Sequence, residues 1–218
     1  MSEGRRVAVG VGVLVGALVG GLLVSSGAAA GSAAGSVAGS VAGSVAGSVS
    51  AAASEQDQRR FWVKDKHRYT SPWYRGGHRR MINFGCTRAP YYAPDPRCVR
   101  QRGFHHGVDI AMRCGTPLYA GVAGRVVKPR SAGALGSAYG SNAFRLRNAK
   151  RERDIVIGHT RRVFVEPGDR VRAGQRIARA SDAGAPDGCH LHFEVRPAAG
   201  GYRSAVDPER LLQAERKD

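Results

Sequence analysis

The chain has 218 residues, enough for one domain with tails, and its 34 Lys and Arg against 17 Asp and Glu give a formal net charge of +17. This charge favours a polyanionic partner, either nucleic acid or the anionic wall of a bacterium, although a basic surface without a function is the alternative. The sequence contains no helix-turn-helix, zinc-finger spacing or aromatic RNA-binding motif, and this argues against nucleic acid.

The N-terminus has the layout of a secretory signal peptide. Arg5 and Arg6 precede an uncharged apolar run over 7–24, and small residues follow up to Ala30. The run is long for a signal peptide and close to the minimum for a membrane span, but its Gly and Ala content favours cleavage over permanent anchoring. Residues 1–30 are therefore predicted to direct export, with membrane attachment only if they stay uncleaved.

Two segments separate this N-terminus from the predicted domain. Residues 31–56 are a low-complexity spacer, in which 35–50 repeat Gly-Ser-Val-Ala four times, the last copy ending in Ser. Such small residues bury too little surface to offset their ordering entropy. Residues 57–80 form a basic lead-in with poor periodicity, and its aromatic residues include Trp62, Tyr69, Trp73 and Tyr74. We interpret the lead-in as irregular and packed on the domain, with contact to a wall as the alternative.

From residue 81 onward, short β-forming runs alternate with Gly, Pro and Asn, and this pattern predicts an all-β antiparallel domain over 81–212. A short helix is predicted at 208–214, with Asp207 as its N-cap and Pro208 at its first position. Residues 213–218 are predicted to form a C-terminal tail. The predicted strands cover 81–84, 107–110, 117–120, 124–127, 143–147, 154–157, 163–165, 176–180 and 191–196.

Two segments carry side chains that can bind a metal ion. Near the C-terminus, His190 and His192 are two positions apart, so in a strand both imidazoles face the same side. Upstream, His105 and Asp109 form a His-x-x-x-Asp pair. Three nitrogen and oxygen ligands with a fourth position left open are typical of catalytic zinc, whereas structural zinc is usually ligated fully by protein.

With these segments, the chain resembles the lysostaphin/LytM-type zinc peptidases, which cut peptide bonds in bacterial peptidoglycan. The family motif His-x-Gly-(Ile/Val)-Asp is matched by 105–109, and His-x-His-Phe-Glu is matched by 190–194. A further family histidine at a strand end corresponds to His159, although the Tyr and Leu that usually flank it are absent. The resemblance covers about 80–212 and implies an open antiparallel β-sheet core with the metal in a groove.

The resemblance also implies roles for the site residues. One Zn²⁺ per chain would be held by His105, Asp109 and His192, while His159 and His190 would move protons or stabilise the oxyanion. Which histidine does which stays open. His106 is the alternative ligand, but the family motif has Gly two residues after the ligand, and this selects His105. Glu194 is either an acceptor for His192 or a structural carboxylate.

The predicted function is therefore a secreted, wall-associated zinc endopeptidase. It would act on peptidoglycan stem or bridge peptides, would also meet the anionic polymers of the wall, and is expected to be monomeric. The alternative is a catalytically inactive wall-binding or regulatory module that activates other hydrolases. The complete set of five site residues favours the enzyme.

Four cysteines in an exported chain favour two disulfides, with three pairings to choose from. Cys86 and Cys98 bracket a Pro-rich loop, which makes them natural partners. If Asp109 and His192 meet at one metal, as the resemblance implies, Cys114 and Cys189 are brought close and would pair. Cys189 as a zinc ligand or nucleophile is the rival interpretation, disfavoured because adjacent strand residues point to opposite faces.

Overall fold

The computed structural model describes residues 59–218, and within them it has fifteen strands and one short α-helix, α1 (Glu209–Leu212). The strands, in chain order, are β1 (Arg68–Ser71), β2 (Tyr74–His78), β3 (Arg80–Ile82), β4 (Gly85–Thr87), β5 (Gly103–His105), β6 (Gly107–Ala111), β7 (Pro117–Tyr119), β8 (Gly124–Val126), β9 (Phe144–Asn148), β10 (Arg153–Gly158), β11 (Thr160–Arg161), β12 (Arg170–Val171), β13 (Arg176–Ala180), β14 (His190–Pro197) and β15 (Glu215–Lys217).

The described strands form three antiparallel sheets. A seven-stranded sheet has the order β12-β8-β9-β10-β14-β6-β3, a six-stranded sheet has the order β11-β13-β7-β2-β1-β15, and β4 pairs with β5. The prediction of an all-β fold with open antiparallel sheets and a short C-terminal helix is confirmed.

Strand β14 lies inside the larger sheet, between β10 and β6, and its two faces carry different residue types. Leu191, Phe193 and Val195 belong to the main hydrophobic core, and burial of each stabilises the fold by roughly 1.5–3 kcal/mol. The Phe193 ring meets the Trp73 ring edge-on, with centroids 4.8 Å apart. The alternate positions on β14 are polar, and they point to the other face.

The lead-in is more ordered than predicted. Instead of an irregular segment, residues of 68–78 form β1 and β2, which pair with each other in the six-stranded sheet. Trp73 and Tyr74 are buried in the main core. In the predicted tail, β15 pairs with β1.

The prediction of a strand at 163–165 is wrong. Arg162 has a left-handed φ of 50°, which turns the chain out of extended geometry after β11. Phe164 N still donates to Ile177 O (2.8 Å), so the segment follows the sheet without joining its ladder. The C-terminal helix is shorter than predicted and has Pro208 at its N-cap, but Asp207 Oδ1 accepts a hydrogen bond from Glu209 N (2.9 Å), as a capping side chain does.

The predicted export segment (1–30), the spacer (31–56) and the first residues of the lead-in lie outside the described part of the chain. Among residues 59–218, no helix is long and apolar enough to span a membrane.

Candidate active site

Three side chains that can bind a metal converge on one point. His105 ends β5, Asp109 lies in β6, and His192 lies directly opposite Asp109 in the β14–β6 pairing. His105 Nε2 is 3.2 Å from His192 Nδ1 and 3.3 Å from Asp109 Oδ1, and His192 Nδ1 is 2.8 Å from Asp109 Oδ1. Tetrahedral zinc with bonds near 2.0–2.1 Å places its ligand atoms about 3.3 Å apart. The set of two nitrogens and one oxygen therefore fits a zinc ion in both chemistry and spacing.

Gly107 explains how the chain can bring these ligands together. A Cβ at this position would lie 2.6 Å from the Phe193 carbonyl oxygen and 2.8 Å from Cε1 of His192. Both distances are shorter than real Cβ contacts, so a larger residue would push β6 away from the His192 ring. The Gly between His105 and Asp109 is therefore required by a close approach of two strands.

Both imidazoles of the cluster are oriented through their second nitrogen. His105 Nδ1 lies 3.1 Å from the Asn83 carbonyl oxygen, and His192 Nε2 lies 3.2 Å from Glu194 Oε2. These acceptors select the tautomers that leave His105 Nε2 and His192 Nδ1 free for the metal, as is usual for histidine ligands. Of the two interpretations of Glu194, the structure thus places it as an acceptor for His192.

Glu194 is itself held firmly. It is completely buried, and its Oε2 accepts a hydrogen bond from the Tyr139 hydroxyl (2.9 Å). Arg196 Nε donates to Oε1 of Glu194, and Arg196 Nη2 donates to the Tyr139 oxygen (2.7 Å). Burial would raise the pKa of Glu194, but His192 and Arg196 lower it. The carboxylate that orients His192 is therefore ionised and fixed.

The ligand cluster favours positive charge at its centre. Burial alone would raise the pKa of Asp109, but the charges of His105 and His190 and hydrogen bonds from His105 and His192 hold it well below its usual range. Burial would lower the pKa of His192, but its contacts with Asp109 and Glu194 raise it to about 9. The carboxylates of Asp109 and Glu194 thus stabilise positive charge at this point, and a divalent cation can supply that charge.

The two remaining histidines lie beside the cluster with their rings 4.4 Å apart. Nδ1 of His190 contacts the Gly188 carbonyl oxygen (2.8 Å), and Nδ1 of His159 contacts the Ala183 carbonyl oxygen (2.8 Å). Nε2 of His190 is buried without a hydrogen-bond partner, 3.6 Å from Asp109 Oδ2. Burial, together with the charges of His190 and His192, lowers the pKa of His159 to about 3, so its imidazole is neutral.

Residues 103–208 match the profile of peptidase family M23. This segment is an M23 domain. The matched segment includes the complete cluster and both flanking histidines, and the lysostaphin/LytM resemblance is thereby confirmed.

The M23 domain has relatives among known peptidases. The chain is 32% identical over 123 residues to the glycyl-glycine endopeptidase ALE-1 of Staphylococcus capitis, and this alignment covers 56% of this chain and 33% of that protein. It is 32% identical over 91 residues to the peptidoglycan DD-endopeptidase ShyA of Vibrio cholerae, covering 42% of this chain and 20% of that protein. The chain thus spans a third or less of the length of these relatives.

A solved structure of the antimicrobial peptidase lysostaphin from Staphylococcus simulans superposes with a TM-score of 0.50 at 27% identity. The superposition covers 68% of this chain and 55% of the lysostaphin chain. It agrees with the all-β fold of the M23 domain.

The cluster of the M23 domain forms the floor of a groove of about 970 Å³. One wall is the loop closed by the Cys86–Cys98 disulfide, whose Cα atoms are 5.5 Å apart. A second disulfide joins Cys114 to Cys189, next to His190, and this excludes Cys189 as a thiolate ligand or nucleophile. Both bonds are the pairings expected from the sequence.

Sequence reasoning did not identify several residues in and beside the groove. Tyr139 and Arg196, which fix Glu194, come from a short turn and from the far end of β14, and Asp187 lines the groove just before His190. Only Arg196 carried a signal, because it shares the strand face of His192 and Glu194. His106, the alternative ligand, lies apart from the cluster, with Nε2 3.2 Å from Nη2 of Arg97.

Proposed function

We propose that this chain is an exported zinc endopeptidase that hydrolyses peptide bonds in the stem peptides or crosslinks of bacterial peptidoglycan. The observation that carries the proposal is the convergence of His105, Asp109 and His192 on the floor of an open groove, beside two further histidines. The names of the relatives, a glycyl-glycine endopeptidase and a peptidoglycan DD-endopeptidase, support this class of substrate.

His105, Asp109 and His192 would hold one zinc ion. Bound there, zinc supplies Lewis-acid polarisation and lowers the pKa of water toward neutrality. His159 and His190 each have Nδ1 on a backbone carbonyl, so Nε2 is the nitrogen left on each ring for the reaction. One imidazole would accept the proton of the attacking water on its unprotonated Nε2 and could then pass that proton to the leaving amine. The other, protonated at Nε2, would donate to the developing oxyanion.

The remaining features support action outside the cell. Residues 1–30 would direct export, 31–56 would act as a spacer, and the monomeric enzyme would work at the wall. The net charge of +17 would concentrate it on anionic wall polymers rather than on nucleic acid. Because such attraction is screened over about 8 Å at physiological salt, wall binding should weaken as salt rises.

The test combines metal content with cleavage. Purified wild-type protein should contain one zinc per chain and should release new termini from purified peptidoglycan, identified by mass spectrometry and abolished by a chelator. Asp109→Ala should lose zinc and cleavage together, whereas His106→Ala, a matched change of the adjacent histidine outside the cluster, should keep its zinc. Zinc binding without any cleavage by the wild type would instead favour an inactive wall-binding module, and a zinc-free wild type would refute the metal site.

A further inference from the structure

Two buried polar atoms in the groove have no hydrogen-bond partner. Six buried side-chain nitrogen or oxygen atoms lack a partner among the described residues, and two of them belong to residues that line the groove: Nε2 of His190 and Oδ1 of Asp187. The proposed proton-transfer role accounts for the His190 nitrogen. It leaves the Asp187 oxygen unexplained, although a buried carboxylate oxygen without a donor is unfavourable.

Asp187 is held as a fixed, half-satisfied carboxylate. It is 1% exposed, and its Oδ2 accepts hydrogen bonds from Trp62 Nε1 (3.1 Å) and from the Tyr91 hydroxyl. Both donors are neutral, and none of the salt bridges within residues 59–218 includes Asp187. The other buried carboxylates each have an arginine or histidine partner: Asp109, Asp154 and Glu194. Asp187 thus lacks both a donor for Oδ1 and a countercharge.

We propose that Oδ1 of Asp187 binds a primary ammonium group of the substrate, which makes Asp187 a specificity-determining residue for peptides with a free amine near the cleaved bond. This inference rests on the proposed peptidase function. A peptide N–H would satisfy the oxygen but leave the buried charge unbalanced, whereas an ammonium supplies both donor and charge. A guanidinium prefers both carboxylate oxygens at once, and Oδ2 is already occupied.

The position of Asp187 fits a subsite close to the reaction centre. It precedes His190 by three residues, and a chain of aromatic rings connects it to the ligands. Tyr91, which donates to Asp187, has its ring centroid 5.0 Å from that of Tyr92, and the Tyr92 ring lies 5.4 Å from the His105 ring. Since an extended peptide advances about 3.3 Å per residue, the amine belongs to a residue a few positions from the cleaved bond.

The test compares soluble peptides released from peptidoglycan with the same peptides after acetylation of their free amines. For zinc-loaded protein, kcat/KM should be about ten- to a hundredfold higher with the free amine, the usual range for a hydrogen bond to a charged group. Calorimetry with the zinc-loaded His159→Ala protein, which keeps the peptides intact, should give the same preference in Kd.

Asp187→Asn should bring the ratio of free to acetylated substrate close to one, because Asn keeps an oxygen for Trp62 and Tyr91 but loses the charge. Asp182→Asn is the matched control: it removes an exposed acidic charge from the same loop and should keep the wild-type ratio. Thermal unfolding of both variants checks that the loop is intact.

Equal Kd values of the free and acetylated peptides for the His159→Ala protein, in which Asp187 is unchanged, would overturn the inference. This outcome does not depend on whether an Asp187 variant folds. An unchanged ratio in Asp187→Asn, or an equal loss in Asp182→Asn, would also overturn it, the latter because long-range charge would then be the cause. If neither peptide form is cleaved but the free amine still binds more tightly, the proposed hydrolysis fails while the ammonium site stands.

Discussion

Replacing Glu194 with Gln should weaken zinc binding although no ligand is changed. Glu194 is fully buried and accepts from His192 Nε2, so its charge increases the electron density that Nδ1 offers to the metal. Gln keeps an acceptor oxygen of the same shape but removes that charge.

The magnitude follows from the role of such partners. Loss of an outer-shell acceptor typically costs 10–100-fold in metal affinity, which corresponds to about 1.4–2.7 kcal/mol. Glu194→Ala should cost more in stability, about 3–5 kcal/mol, because it leaves the buried guanidinium of Arg196 without its carboxylate. The assay is competition with a zinc chelator for the dissociation constant, with urea unfolding of the zinc-free proteins measured in parallel.

Asp154→Asn separates this effect from general destabilisation. Asp154 is also fully buried, in β10 beside β14, and it forms salt bridges with Arg145 and Arg147 without touching the ligand cluster. The Asp154→Asn substitution should lower the stability of the protein while leaving its zinc affinity within about twofold of the wild-type value. A Glu194→Gln protein that binds zinc as tightly as Asp154→Asn would refute the reasoning.

Three further outcomes are expected. His159→Ala and His190→Ala should retain most of the zinc but lose turnover by about 10²–10⁴-fold, and wild-type rates in either variant would remove that residue from the mechanism. Replacing Cys114 and Cys189 together by Ser should cost about 4 kcal/mol in urea unfolding, since their bond spans 75 residues; a loss below about 1 kcal/mol would contradict this. Burial would raise the pKa of Asp154, but its arginine and backbone contacts lower it. The ionised carboxylate therefore stabilises the folded protein above the ordinary carboxyl pKa near 3.9, and this contribution is lost as the pH falls below that value. Asp154→Asn should therefore flatten the acid side of the pH–stability curve, and an unchanged acid slope would count against the ion pair.

The sequence was most informative where one strand carries both buried apolar residues and the polar residues of the candidate site. In β14 the alternation of His190, His192 and Glu194 with apolar residues defines the strand and the facing of its polar side chains. The strand predicted at 176–180 also agrees with β13, although Arg176 and Arg179 are three positions apart and the pairing with β7 shifts register between Arg176 and Ala178. His105 and Asp109 were found through a short motif, although they end one strand and occupy the next, so strand periodicity alone does not relate them.

Contacts between distant segments could not be predicted in this way. Asp187 receives one of its hydrogen bonds from Trp62, 125 residues earlier, and Tyr139 reaches Glu194 from a short turn. In the lead-in, Pro72 and the pair Gly76-Gly77 obscure the period-2 pattern of β1 and β2. The pairing of these strands depends on the rest of the sheet, and local propensity does not encode it.

The support of His192, a proposed zinc ligand, extends well beyond the site motifs. Phe193, its neighbour on β14, packs on the opposite face against Trp73, and Trp73 Nε1 donates to the Leu211 carbonyl oxygen (2.8 Å). The turn between β1 and β2 and the C-terminal helix therefore hold β14 from the core side, while Tyr139 contacts Glu194 and Arg196 on its other face. Because a shift of β14 would move His190 and His192 together relative to Asp109, the precision of the proposed metal site depends on this packing as much as on the proposed ligands themselves.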